Sequence, residues 1–97
     1  MDQDCILKTA IQENVFDLIV QERRYQDIKW GLPHQHEVGG WLTLMQVHLN
    51  KAQEAWASSK GNIAALDELR KVIALGVACA EEYGMPPRVS NDEKHIT

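Results

Sequence analysis

The chain is expected to be all-α, a bundle of three or four helices completed by homo-oligomerisation. Three observations predict this. Proline stands only at positions 33, 86 and 87, which leaves two long stretches where helices can run unbroken. Apolar residues recur at three- and four-residue steps, and no stretch sustains the two-residue alternation of a strand. The run Ala74-Leu75-Gly76-Val77-Ala78-Cys79-Ala80 is apolar on nearly every face. A helix of that kind must be buried, and so few other helices cannot easily surround it.

The first helix carries Leu7, Ile11, Val15, Leu18 and Tyr25 on one stripe, interrupted by Glu22. Asp2 or Asp4 can cap its start. Asn14 with Asp17 three residues on offers a second start, so a break near residue 13 stays open. Gly31 and Pro33 end the helix near Trp30. Residues 31–40 read as a connector. The second helix places Trp41, Leu42, Met45, Leu49, Ala52 and Trp56 on one stripe and ends at Ser58-Ser59-Lys60-Gly61. Asn62 is the expected N-cap of the third, whose stripe is Ile63, Leu66, Leu69, Ile73, Val77 and Ala80. Gly84 followed by Pro86 and Pro87 stops it. One domain is expected over residues 1–87, with a frayed tail over 88–97. Residues 74–80 are expected to face a second subunit, most simply across a two-fold axis. The alternative is that the first helix breaks in two and covers the remaining face. The small residues Gly76, Ala78 and Ala80 permit a close helix approach.

Composition narrows the classes of function. The 97 residues carry 14 acidic and 10 basic side chains, a formal charge of −4, with no basic excess to attract nucleic acid or an anionic membrane. No apolar run approaches the roughly 20 residues that span a bilayer. The acidic N-terminus lacks the basic region of a signal peptide. Two cysteines are too few for a disulfide scaffold. A cytoplasmic protein is expected.

Few residues suggest chemistry by themselves. His34, His36 and Glu37 could contribute to a zinc or nickel site, but a closed site wants about four ligands and no cysteine is near; exposed or capping loop histidines are the commoner case. Cys79 lies within an apolar run without a basic neighbour and reads as a small hydrophobe. Ser58-Ser59 has no positioned base. Gly39-Gly40 opens the second helix and could present amides to an anion, without the rest of a phosphate-loop pattern. Trp41 and Trp56 fall on the core stripe. Trp30, at a helix end, could wall a pocket where a base stacks, although packing is the default.

The segment Glu22-Arg23-Arg24-Tyr25-Gln26-Asp27-Ile28-Lys29-Trp30-Gly31 resembles an E-R-x-x-Q-D-x-K-W-G signature of small phage and bacterial proteins. Those proteins are related to the MazG-like, all-α nucleoside triphosphate pyrophosphohydrolases. His36-Glu37-Val38-Gly39-Gly40-Trp41-Leu42 fits the same pattern, as do Leu69-Arg70-Lys71-Val72-Ile73-Ala74 and Ala78-Cys79-Ala80-Glu81. The resemblance spans about residues 15–87 and implies a helical dimer or tetramer with active sites between helices. It also implies Mg²⁺ held by an E-E-x-x-E run on one helix and an E-x-x-D pair on the next. Those spacings put hard oxygen ligands on one helical face.

Laid onto this chain, the motif falls on Val47, His48 and Lys51, then on Glu68 and Lys71. Only Glu68 is retained, and residues 43–53 contain no acid at all. Two lysines stand where a cation would sit. The expectation is a non-catalytic relative that binds a nucleotide-like anion or a protein partner and assembles as a homodimer or higher oligomer. Lys51, Lys71, His48, Glu68 and Trp30 are its candidate ligand contacts, and no catalytic residue, metal or cofactor is expected. Alternatively Lys51 pairs with Glu68 and fills the vacated site, leaving a structural oligomer. A third possibility is a hydrolase with a metal site rearranged around Glu54, Asp67 and Glu68. It is disfavoured because adjacent Asp67 and Glu68 lie about 100° apart around a helix.

Overall fold

The computed structural model describes residues 3–31 and 35–89. Three helices make up the fold, α1 (Gln3–Trp30), α2 (Val38–Ala57) and α3 (Gly61–Tyr83), with no strand among the described residues. Residues 88 and 89 are non-helical, and the rest of the expected tail lies outside the described residues.

The helix ends follow local backbone chemistry. Gly31 and Gly84 have φ of 80° and 82°, the left-handed region in which glycine avoids a Cβ clash. Their amides close the last turns by donating to the carbonyls of Asp27 at 2.9 Å and Ala80 at 2.7 Å. α3 begins one residue before the expected cap: Lys60 occupies the N-cap and Asn62 lies inside the helix. α1 is one continuous helix, so the possible break near residue 13 does not occur.

α2 and α3 pack as an antiparallel hairpin, and α1 packs on α3 without its backbone approaching α2. α3 is therefore central. Trp41, Leu75 and Ala78 form the core of the hairpin, with Trp30, Leu44, Met45 and Cys79 against them. Ile19, Val72 and Ala74 are also buried.

Two expectations about burial are corrected here. In the run 74–80, Ala74, Leu75 and Ala78 are buried within the single chain. α1 and α2, both packed on α3, cover them within the chain. Gly76 turns towards α2, and a Cβ built there would sit 3.4 Å from the Met45 methyl, so it serves the α2–α3 approach. Conversely, the apolar stripes of α1 and α3 are largely bare. Leu7, Ile11, Val15, Leu18 and Tyr25 are exposed, as are Ile63, Leu66, Leu69, Ile73 and Val77. Trp56, expected in the core, is 66% exposed. α3 spends its buried positions on the two helices that flank it, and the stripe between those faces meets nothing.

Gly76→Ala is expected to raise the thermal midpoint, gaining up to about 1 kcal/mol of helix propensity against a movable methyl. Gly76→Leu should lower it, because the added branch must displace Met45. Thermal unfolding followed by circular dichroism checks both.

Candidate functional site

The residues of the E-R-x-x-Q-D-x-K-W-G segment fasten α1 to α3. Arg23 grips Glu81 with both arms of its guanidinium, Nη2 at 2.7 Å and Nε at 3.1 Å. It also reaches Asp27 at 2.9 Å and the side-chain oxygen of Gln26 at 3.1 Å. Gln26 is 3% exposed, and its amide nitrogen lies 3.5 Å from the Lys71 carbonyl. Next to Arg23, Glu22 accepts a 2.8 Å bond from Arg70. Adjacent residues of α1 thus reach points about 16 Å apart along α3, so α1 crosses α3 and does not lie along it. Glu81, with Asp27 adding to it, keeps Arg23 more firmly protonated than an ordinary arginine despite burial.

A second cluster joins the connector to the hairpin. Glu82 accepts bonds from the Trp41 indole at 2.8 Å and the His36 amide at 3.3 Å. The Tyr83 hydroxyl donates to the His36 carbonyl at 2.6 Å. The His36 ring meets Trp41 edge-on, and a Cβ at Gly40 would approach the His36 Cβ to 3.2 Å. Burial raises the Glu82 pKa, but the Trp41 and His36 donors outweigh it and leave the carboxyl below its usual range. His36 therefore has a packing role, while His34 lies outside the described residues.

The positions aligned with the metal-binding acids come together in part. Glu68 accepts from Lys71 Nζ at 3.0 Å, and its other oxygen lies 3.3 Å from His48 Nδ1. Burial pushes the Glu68 pKa up, but Lys71 and His48 more than offset this and hold it below the ordinary carboxylate range. The same contact raises Lys71, against burial. Lys51 does not pair with Glu68 as one reading expected, and it makes no ion pair among the described residues. It lines a cleft of about 500 Å³ between the end of α2 and the start of α3, with Glu54, Ser58, Lys60, Asp67 and Glu68. Asp67 is engaged by Arg70 at 2.8 Å. Among the described residues no three His, Cys, Asp or Glu are placed to hold a metal ion. Trp30 sits apart from this cluster, against the hairpin core.

Sequence reasoning missed the structural roles of Glu22, Arg23, Gln26, Glu81 and Glu82. The signal was present in part: Glu22 breaks the apolar stripe of α1, and Arg23 and Gln26 stand beside it. Their partners, 45 to 58 residues away, carry no local pattern. The chain matches no protein-family model, no curated protein and no solved structure. No helix among the described residues is long and apolar enough to cross a membrane.

Arg23→Ala should destabilise the fold by about 2–3 kcal/mol, because it leaves Glu81, Asp27 and Gln26 without their shared donor. Arg23→Lys should recover only part of this, since an ammonium cannot form the two-armed grip. Urea unfolding measures both. The depressed Glu68 pKa sets a second expectation. Its stabilisation is complete above the ordinary glutamate range and is lost as pH falls through the lower folded value. Acid titration of stability should therefore be steeper in the native protein than in Glu68→Gln; coincident curves would assign the acid limb to other groups.

Proposed function

We propose that the protein is a non-catalytic relative of the MazG-like pyrophosphohydrolases and acts by binding, with protein association as its main activity. The state of Glu68 carries this reading. It is the one acid retained from the resembling motif, and Lys71 and His48 already engage its two oxygens. An ammonium stands where a divalent cation would have to coordinate, and Lys51 and Val47 supply no oxygen ligand. Glu54, Asp67 and Glu68 do line one cleft, but Asp67 and Glu68 are held by Arg70 and Lys71. Protein association is favoured by the apolar stripes that α1 and α3 leave exposed, which are larger than scattered surface residues would give.

A specific observation favours a second reading, the binding of a small phosphate-bearing anion at Lys51. Lys51 and Lys60 share a cleft of about 500 Å³ and neither ammonium is in an ion pair among the described residues. Lys71 and His48 do not contribute, being committed to Glu68.

With a panel of nucleoside triphosphates and Mg²⁺, no pyrophosphate release above background is expected. Turnover that disappears in Glu68→Ala would overturn the non-catalytic reading. For the second reading, phosphate or nucleotide without metal should raise the thermal midpoint, and Lys51→Ala should abolish the rise. An unchanged rise in that variant would reject the cleft.

A further inference from the structure

Phe16 and Val20 lie outside the apolar stripe of α1, yet both are exposed, one helical turn apart. Arg24, also exposed, continues their row a turn later. At about 100° per residue, this row falls on the flank of α1 away from Val15 and Leu18. On that flank α1 and α3 border a groove of about 430 Å³, a size typical of small-molecule sites. Phe16, Ile19, Val20 and Val77 supply its apolar lining.

The charged residues of the groove are not equivalent. Arg23 holds both Glu81 and Asp27, so these three are committed to the α1–α3 crossing. Arg24 lines the same groove and makes no ion pair or hydrogen bond among the described residues. An apolar trough thus ends beside one uncommitted guanidinium.

We propose that this groove binds a small amphiphilic carboxylate, its apolar body along Phe16, Val20 and Val77 and its carboxylate on Arg24. Charge sets the head group. A guanidinium takes a carboxylate through two parallel, charge-assisted bonds. A dianion such as a phosphate monoester brings a second negative charge up to Asp27 and Glu81, whereas a monocarboxylate matches Arg24 alone. Burial sets the body. A fully polar acid leaves Phe16 and Val20 in water and forgoes the gain from covering them. The site is separate from the Lys51 cleft, which lies at the start of α3, whereas the groove lies near its end. It goes beyond the association reading and does not depend on it. Because the ligand touches both helices, its binding also stabilises the docked position of α1 by mass action.

Octanoate is the probe, with octanol and octylamine as charge controls, followed by methyl NMR of Val20 and Val77. Octanoate should shift both valines and bind more tightly than octanol, and octylamine should bind least. Arg24→Gln should weaken octanoate about tenfold and leave octanol unchanged. Phe16→Ala should weaken both. The two substitutions fall on exposed side chains, so the fold should survive them, which circular dichroism verifies. Octanoate should also slow amide exchange in α1. Equal binding of octanoate with either control, or octanoate binding unchanged in Arg24→Gln, would overturn the proposal. So would the absence of binding at millimolar octanoate. Loss of octanoate binding in Lys51→Ala would overturn it too, by placing the carboxylate in the other cleft. Each of these results would leave the non-catalytic reading standing, because that is judged separately by pyrophosphate release.

Discussion

The guanidinium of Arg23 is the constraint on which the tertiary arrangement rests. α1 touches the rest of the chain over a short crossing, with Ile19 and Gln26 its buried side chains. So little apolar area cannot fix the orientation of a 28-residue helix. Orientation comes from directional bonds, with Arg23 turned to Glu81 on one flank of the crossing and Glu22 to Arg70 on the other. Gln26, bonded to Arg23 at the contact itself, penalises any register that would leave its amide unsatisfied. A purely apolar contact would tolerate rotation. This one has a defined angle, and that angle creates the groove.

The same network recasts the segment that carried the resemblance. Glu22, Arg23, Gln26 and Asp27 hold α1 to α3 or brace the residues that do, Trp30 packs on the hairpin core, and Gly31 turns the chain. All serve architecture. The chemistry expected from that resemblance depends on acids on α2 and α3, and there an ammonium–carboxylate pair takes up the one that remains.

Helix identity was legible because it is written in local terms: proline positions, glycine stops and a 3.6-residue period. The ends near Gly31 and Gly84 fell where backbone sterics demand. The Asn62 cap did not, since Lys60 took that place without any side-chain cap. Burial was read less well. Period identifies an apolar stripe but not what covers it, and the stripes of α1 and α3 proved bare while Ala74, Leu75 and Ala78 were covered within the chain. At the candidate site, the motif laid on from the resemblance names His48, Glu68 and Lys71, and these three side chains do meet across α2 and α3. The separation of Lys51 was not visible, since it depends on which neighbour captures the single carboxylate first.

The central position of α3 has a consequence for how the molecule loses structure. α2 and α3 share a short turn and a common core, whereas α1 packs chiefly on α3, with Trp30 at its end against the hairpin core. Cooperativity in such a chain runs in series. Undocking of α1 is a sub-global opening that leaves the hairpin intact, whereas loss of α3 dismantles everything. Amide exchange along the chain would then fall into two tiers, with α1 as the outer one, and a substitution at the crossing would shift the first tier without moving the second.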